Sequence, residues 1–545
     1  MIRAPHSSPA VAASAASIWL PRVILLLLGL HFGRGVLPFT PVEGDELGVV
    51  NGLQAWARGT GDFADAAYSY PIQPGSYHLL HFLNQLTGAP ELAVFCATTA
   101  LAVVAFIFLS SILVSRVTGL RAAWVAVALL LMQEITTAAF YANTNAIAAV
   151  ALMAGLVVAQ RAESRAARWT AGLLIGLGGW LRLDSLLLSP VVLVLRLGHV
   201  PSGRALRETA EIALVSCAAL LAACAACGLS LEMSWREFMG RDNFSQWQPL
   251  RVNGWFALGF VASATSMIGT VWLCLTRRWN QLGLAVTASG LPLVVYGGSF
   301  VSPKYFYYGA PLMLLPALSL LAGLLGAAGR PRRWLAFGLL AAFAGEALFG
   351  VQTASQFRRF DPSPPRIALG PVAVAGKSLT LGLGEGEIMQ TADGPRLRGG
   401  QFWAPLVWHR EKVAMREETA RLAGILRDDP PALVLTSTYL SFGVVDGWLR
   451  QHGYQVGPRQ PFQANRSSFT TNCQGTRHRL TLVLVNKTPH DTEEFNTWTI
   501  SAQRIVFVND RGGLEFRHLA STTGGWLPLS PSGNRLLTLY EHPPQ

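Results

Sequence analysis

The feature that most constrains this chain is a succession of apolar runs, each long enough to cross a membrane. A helix needs roughly 20 apolar residues to cross about 30 Å of hydrocarbon. Charged residues make up 14% of the 545 residues, against about 25% in soluble domains, which excludes a wholly soluble protein. Runs of spanning length lie near residues 18–38, 91–115, 119–137, 138–160, 208–230, 254–276, 281–300, 306–328 and 335–352.

One further apolar stretch, residues 169–197, is interrupted by Arg182 and Asp184. Charges inside hydrocarbon are costly, so this stretch predicts two short, tilted helices that meet at the two charges. The count is then about eleven spans. We expect residues 18–38 to be a retained helix rather than a signal peptide, because the apolar run continues to Phe39 and no clean cleavage site follows.

Basic residues orient the predicted spans. With the N-terminus inside the cell, the basic clusters all fall on the cytoplasmic side, in agreement with the positive-inside rule. An odd number of spans then places the C-terminal part outside the cytoplasm, and the composition suggests a bacterial inner membrane. The clusters are Arg3 and Arg22; Arg116 and Arg121; Arg161, Arg165 and Arg168; Arg196, Arg204 and Arg207; Arg277 and Arg278; and Arg330, Arg332 and Arg333.

The composition changes near Phe357, where Asp361-Pro-Ser-Pro-Pro365 is typical of a linker. We therefore divide the chain into a membrane domain, residues 1–356, and a soluble domain, residues 357–545. Strands are expected at Ala432–Leu435, Leu480–Val485 and Arg504–Val508, with helices at Ala414–Leu426 and Phe442–His452. This alternation predicts an extracytoplasmic α/β domain with a mainly parallel sheet.

Acidic residues open the first outer loop, in Glu43-Gly-Asp45-Glu46. Adjacent carboxylates directly after an apolar helix suit a general base or a ligand for a divalent cation such as Mg²⁺ or Mn²⁺, although a simply solvated loop has the same composition. The net charge of +12 follows the basic cytoplasmic loops, so we expect no nucleic-acid partner.

The end of that loop, Tyr68-Ser-Tyr-Pro-Ile-Gln-Pro-Gly-Ser-Tyr-His78, is a proline-fixed turn. Its Tyr70, Gln73 and His78 could line a sugar site or pack at the membrane interface. Arg182 and Lys304 are cations that could hold an anionic lipid head group. Alternatively, Arg182 pairs with Asp184 inside the membrane and Lys304 anchors the interface.

The order of these motifs resembles the GT-C glycosyltransferases. Gly44-Asp-Glu-Leu, followed by Gly61-Asp62, is similar to the first outer loop of the branch that contains protein mannosyltransferases, the lipid A aminoarabinose transferase and galacturonosyltransferases. The run Gly172 to Arg182 is similar to that branch's glycine-rich helix with a basic end, and Lys304-Tyr305 to its late basic-tyrosine pair. Two departures concern the acceptor: no aromatic follows the acidic pair, and the turn has Gln-Pro-Gly instead of His-Pro-Pro.

The resemblance implies a polytopic α-helical membrane enzyme that transfers a sugar, with inversion, from a polyprenyl-phosphate donor to an envelope lipid, glycan or protein outside the cytoplasm. It implies that Asp45 is the general base and that Glu46 positions the acceptor or a metal ion. Arg182 and Lys304 would hold the donor phosphate. Further substrate contacts would come from Tyr70, Gln73, His78, Asp184 and Tyr305.

Two other functions fit the same residues. A flippase for a lipid-linked glycan would share the many helices and the basic residues, but transporters often consist of repeated halves, which this sequence lacks. A non-catalytic envelope-assembly protein would use its soluble domain to bind glycan. That domain could also bind the acceptor, cap the cleft or stabilise the fold.

Overall fold

The computed structural model describes residues 15–41, 44–57, 59, 70–229, 232, 236, 259–296, 307–326, 329–349, 351–353, 372–374, 377–381, 387–391, 394–398, 400–428, 433–436, 478–485, 502–509, 527–528 and 538–542. Lys304, Tyr305 and the predicted helix Phe442–His452 lie outside the described residues, as does the side chain of Asp45.

The described part of the chain is mainly helical up to residue 349. In chain order the helices are α1 Ala15–Gly33, α2 Gly44–Ala57, α3 Pro74–Thr87, α4 Glu91–Thr118, α5 Ala122–Leu130, α6 Gln133–Phe140, α7 Thr144–Gln160, α8 Arg165–Leu181, α9 Val191–Leu197, α10 Ser202–Ala226, α11 Phe260–Leu275, α12 Trp279–Tyr296, α13 Ala310–Met313, α14 Leu315–Gly326, α15 Arg330–Phe349 and α16 Ala404–Asp428.

Three helical segments among the described residues are long and apolar enough to cross a membrane: Trp19–Val36, Glu91–Thr118 and Ser202–Ala226. At 1.5 Å per residue the 28 residues of α4 extend about 42 Å, more than the hydrocarbon thickness. The total of eleven spans stays a prediction.

The interrupted stretch folds as expected. Helix α8 ends at Leu181, a 3-10 turn covers Leu183–Leu188, and α9 follows. In contrast, the predicted span 119–137 is divided into α5 and α6. The nine residues of α5 extend only about 14 Å. The break at Leu131 and Met132 comes directly before the polar pair Gln133-Glu134.

Small residues bring α7, α8 and α10 together. A Cβ atom on Gly172 would lie 2.7 Å from the Ile212 carbonyl oxygen of α10, and one on Gly176 would lie 2.6 Å from that of Ser216. At the start of α8, Arg168 pairs with Glu211 of α10 at 2.6 Å. These contacts fix α8, so the position of its other end, where Arg182 follows, is well defined.

The C-terminal part contains strands at all three predicted segments, β6 Leu433–Thr436, β7 His478–Val485 and β8 Ala502–Asn509. They form a five-stranded sheet of order β6-β7-β8-β10-β9, with β9 at Leu527–Pro528 and β10 at Thr538–His542. β6, β7 and β8 run parallel, whereas β10 is antiparallel to both β8 and β9.

Five shorter strands precede this sheet and pair only antiparallel, in the orders β1-β3-β2 and β4-β5. They are β1 Val351–Thr353, β2 Val372–Val374, β3 Lys377–Leu381, β4 Glu387–Thr391 and β5 Gly394–Arg398. The α/β class of the whole C-terminal domain and its boundary at residue 357 stay predictions.

Helix α16 includes the predicted helix Ala414–Leu426 and packs on the membrane part. Its Trp408 is fully buried, with its ring centroid 5.9 Å from that of Phe140 and 6.1 Å from that of Tyr141. Just before α16, the Gln401 side-chain amide donates to the hydroxyl of Thr136 in α6. The helix is therefore joined to α6 and to Tyr141, which follows it.

Candidate active site

The centre of the site is Arg182, the first residue after α8. Its backbone is extended, with φ −161°, and the following 3-10 turn brings Asp184 back beside it. Arg182 Nε donates to both Asp184 carboxylate oxygens, at 3.0 and 3.1 Å. The side chains are 12% and 3% exposed. A buried ion pair needs further hydrogen bonds to offset the loss of hydration.

Those further bonds come from two other elements. Arg182 Nη1 donates to Gln73 Oε1 and to Thr144 Oγ1, each at 2.9 Å. The Thr144 hydroxyl is also 2.6 Å from Gln73 Oε1, to which it donates. The structure thus brings Gln73 together with Arg182 and Asp184, which lie more than 100 positions further along the chain.

Gln73 reaches Arg182 because α3 begins against the end of α8. Ser76 Oγ donates to the Leu181 carbonyl oxygen at 2.8 Å. A Cβ atom on Gly75 would lie 2.5 Å from the Trp180 ring and 2.9 Å from the Leu181 nitrogen. Pro74 occupies the first turn of α3, where a missing N–H costs nothing. The proline turn therefore places Gln73 directly beside the break in α8.

Sequence reasoning missed three members of the network. The Tyr308 hydroxyl lies 2.9 Å from Asp184 Oδ1 and 3.0 Å from Asn145 Oδ1, and its single proton is shared between these two acceptors. Asn145 and Thr144 belong to the polar run Asn143-Thr-Asn145 at the start of α7. This polar run was the sequence feature that could have identified the two residues, because unpaired amides are costly at membrane depth.

Glu46 approaches the same region from α2. Its side chain is fully buried, and its Oε1 accepts a hydrogen bond of 2.5 Å from the backbone N–H of Ala142. Ala142 precedes Thr144 by two residues, so their Cα atoms are at most about 7 Å apart. The backbone of Asp45 lies in the first turn of α2, where a helix N-terminus favours negative charge.

A cluster of aromatic and imidazole rings lies beside Gln73. Tyr70 Oη is 3.1 Å from His78 Nε2. The His78 ring stacks on Trp180, with centroids 5.8 Å apart, and meets Trp56 edge-on at 4.7 Å. Trp56 in turn stacks on His81 at 4.5 Å. Flat apolar faces with polar edges are suited to the two kinds of surface on a sugar ring.

The protonation states in this cluster follow from burial. Desolvation, followed by the charge of His81, lowers the pKa of His78 below its usual 6.5. Burial, with smaller effects from Cys227 and Cys224, raises the pKa of Tyr70 to about 12. Near neutral pH, Tyr70 is therefore protonated and His78 neutral, and the imidazole tautomer decides which of the two donates the hydrogen bond between them.

The donor set for a divalent cation is incomplete in the described part of the chain, where no three His, Cys, Asp or Glu side chains cluster closely enough to hold a metal ion. Glu46 is the predicted ligand whose side chain the structure describes, and one of its carboxylate oxygens accepts a hydrogen bond from the Ala142 N–H. The side chain of Asp45, the other predicted ligand, lies outside the described residues, so a metal ion at the acidic pair stays a prediction.

Comparison with solved structures identifies the fold of this chain. No family model matches the sequence, and no curated protein matches it. The solved structure of ArnT from Cupriavidus metallidurans bound to undecaprenyl phosphate is similar, with a TM-score of 0.51 and 14% identity over 98% of this chain and 100% of that one.

Two other solved structures are more distant. ArnT from the same organism in the apo state has a TM-score of 0.48 at 14% identity, covering 98% of this chain and 100% of that one. The apo oligosaccharyltransferase of Archaeoglobus fulgidus has a TM-score of 0.41 at 12% identity, covering 61% of this chain and 55% of that one.

This chain has the fold of ArnT, a membrane glycosyltransferase of the GT-C superfamily. The resemblance drawn from the motifs is confirmed at the level of the fold.

Proposed function

We propose that this protein is a membrane glycosyltransferase that moves a sugar from a polyprenyl-phosphate donor to an envelope acceptor on the extracytoplasmic face. The observation that carries the proposal is the convergence of Glu46 and the Arg182 network on residues 142–145, within a fold shared along its whole length with ArnT. ArnT was solved with undecaprenyl phosphate, a lipid of the class that would carry the activated sugar here.

In the proposed reaction, a hydroxyl oxygen of the acceptor forms a bond to the anomeric carbon of the sugar. The bond from that carbon to the phosphate oxygen breaks, and its electron pair leaves with the polyprenyl phosphate. Asp45 takes the hydroxyl proton, and Glu46 holds the acceptor or the loop in place. Attack from the face opposite the phosphate inverts the anomeric centre.

Arg182, together with Lys304, would stabilise the charge that grows on the departing phosphate. A guanidinium has five N–H donors in a fixed fork, so a phosphate can bind it while Asp184 and Gln73 hold its orientation. Preorganised donors of this kind contribute most where charge develops in the transition state. The same network keeps Arg182 in one geometry before the donor arrives.

The sugar and acceptor would lie against the neighbouring polar and aromatic groups. Tyr70, Gln73 and His78 offer hydrogen-bonding edges next to Trp180. Asp184 and Tyr305 complete the proposed contacts, with Asp184 acting chiefly through Arg182. A polar acceptor hydroxyl at this point would be close to the acidic start of α2.

The test uses purified protein in lipid vesicles with radiolabelled polyprenyl-phosphate sugars and envelope extract. The wild type should move label into a lipid, glycan or protein product. Asp45→Asn should lower the rate at least about 100-fold, the lower end of what a general base contributes. Glu163→Gln, which changes an exposed acid in the turn between α7 and α8, is the matched control and should leave the rate unchanged.

Other outcomes are equally informative. Equal transfer by the wild type and Asp45→Asn would discard Asp45 as the base. Movement of labelled lipid across the vesicle membrane without any new glycosidic bond would replace the transferase proposal with a flippase.

A further inference from the structure

Lys412 is a buried cation on α16 that the proposed reaction does not use. It is 1% exposed. Its Nζ donates to the backbone oxygens of Gly35 and Val36, at 3.0 and 2.8 Å. Both carbonyls belong to the 3-10 turn Arg34–Val36 that follows α1. One ammonium group therefore ties the C-terminal helix to the segment that leads into the acidic loop.

Further contacts join α16 and the residues just before it to the segment around the turn Arg34–Val36. His409 Nδ1 is 2.8 Å from the Leu37 carbonyl oxygen, and His31 Nε2 is 2.6 Å from that of Phe402. A Cβ atom on Gly35 would lie 2.6 Å from the Phe140 ring and 3.0 Å from the Pro405 backbone. The turn after α1 is thus packed between α6 and α16, and any displacement of α16 would move it.

Glu46 is connected to the same contacts through the segment 140–142. Its carboxylate accepts from the Ala142 N–H, and Ala142 follows Phe140 and Tyr141, whose rings pack near Trp408 of α16. Burial lowers the pKa of Lys412, whereas the Cys96 thiol and then the Glu46 carboxylate raise it. The segment 140–142 therefore joins α16 to the carboxylate of Glu46.

The cost of burial explains why the contact of Lys412 with the turn matters. An ammonium group removed from water is strongly destabilised unless its N–H groups find acceptors. The carbonyl oxygens of Gly35 and Val36 are such acceptors. Removing the ammonium group leaves both carbonyl oxygens without this donor, which destabilises the turn.

We propose that Lys412 is a positioning residue for the acidic pair: from α16 it anchors the turn after α1 and so fixes the approach of the chain to Glu46 in the first turn of α2. The C-terminal helix is then a required part of the membrane active site and not a separable cap. The catalytic consequence rests on the function proposed above, whereas the anchoring of the turn does not.

The experiment uses the full-length protein in detergent and in vesicles. Lys412→Met removes the charge at similar length, Lys412→Arg retains it, and Arg416→Met changes an exposed cation on the same helix. For each variant, kcat per folded enzyme and KM for the labelled donor are measured. A thermal-melting cycle with Glu46→Gln, alone and combined with Lys412→Met, measures the coupling without requiring activity.

We expect Lys412→Met to lower kcat at least about tenfold with the donor KM changed less than about twofold. Lys412→Arg should restore most of the rate, and Arg416→Met should match the wild type. In the melting cycle, the double variant should lose less stability than the two single variants together, because both side chains hold the same packed segment. If Lys412→Met alone does not fold, restored folding and transfer in Lys412→Arg support the anchoring, and an equally unfolded Lys412→Arg overturns it.

A wild-type kcat per folded molecule in Lys412→Met, or melting effects that simply add, would overturn the proposal while leaving the transferase function intact. A coupled melting cycle in a protein that transfers no sugar from any donor would retain the coupling between Lys412 and Glu46 and reject the proposed function.

Discussion

Arg182 donates from a single nitrogen to both carboxylate oxygens of Asp184, a residue two positions along the chain. The pair forms because α8 stops at Leu181 and a 3-10 turn reverses the backbone. Gln73, Thr144 and Tyr308 then hold the pair from three other elements. The break after α8 thereby carries an ion pair of fixed geometry, and the phosphate of the proposed lipid donor would bind there.

Asp184→Asn tests whether this pair is a structural unit. The amide retains the shape but not the charge, so the Arg182 guanidinium, 12% exposed, loses its counter-charge. Breaking a buried ion pair in this way costs about 3–5 kcal/mol, so the variant should melt well below the wild type. Asp428→Asn, at the exposed end of α16, is the control. Identical melting of Asp184→Asn and wild type would show that the pair contributes nothing to the fold.

Adjacent tyrosines provide a matched pair of variants. Tyr308→Phe removes the hydroxyl whose proton is shared between Asp184 and Asn145 and should cost about 1–3 kcal/mol of unfolding free energy. Tyr307 is also buried, but within the described structure its hydroxyl has no hydrogen-bond partner. Tyr307→Phe should therefore be neutral or slightly stabilising. Denaturation of both variants measures the difference, and equal effects would contradict the network.

Gly75→Ala should disturb the site without touching a polar group. The new methyl group would meet the Trp180 ring at 2.5 Å and the Leu181 backbone nitrogen at 2.9 Å, so α3 must move away from the end of α8. We expect a lower rate of transfer and a lower melting temperature. Gly290→Ala, where nothing lies within 4 Å of the added atom, should be neutral or stabilising by about 0.5–1 kcal/mol. Equal behaviour of the two would argue against the packing.

The pH dependence of stability should report on His78. Because its folded-state pKa lies below the unfolded value of 6.5, the unfolded chain binds a proton first as the pH falls. Stability from this group is complete above about pH 6.5 and is lost as the pH falls from there through the folded pKa. The loss should be smaller in His78→Gln, which does not titrate. Melting curves from pH 7.5 to 5 compare the two, and parallel curves would contradict the assignment.

Gly400→Ala tests the attachment of α16. A Cβ atom there would lie 2.2 Å from the Leu348 carbonyl oxygen of α15, a backbone atom that side-chain rotation cannot move. The substitution should loosen residues 400–428 and increase trypsin cleavage in α16. Gly424→Ala, with its nearest added contact at 3.9 Å, should be cleaved as slowly as the wild type. Slow cleavage of both variants would show that the close approach is not needed.

Local features of the sequence were sufficient for several elements. Length and hydropathy predicted the three helical segments that are long and apolar enough to cross a membrane. The charges Arg182 and Asp184 located the break after α8 correctly, since a charge is costly wherever an apolar helix carries it. Short β-branched runs located β6, β7 and β8. The span 119–137 was an exception, because overall hydropathy outweighed the pair Gln133-Glu134 that begins α6.

The partners of the site residues were decided by the tertiary structure alone. Tyr308 meets Asp184 across 124 residues of sequence, and Lys412 meets Gly35 across 377. Periodicity and propensity report only on neighbours within a turn or two, whereas these bonds exist because packed helices bring distant backbones within 3 Å. The sequence by itself determined the apolar helices, the acidic pair Asp45-Glu46 and the charged break at Arg182. Packing determined that Glu46 and the Arg182 network meet at residues 142–145, and that Lys412 of α16 contacts the turn after α1.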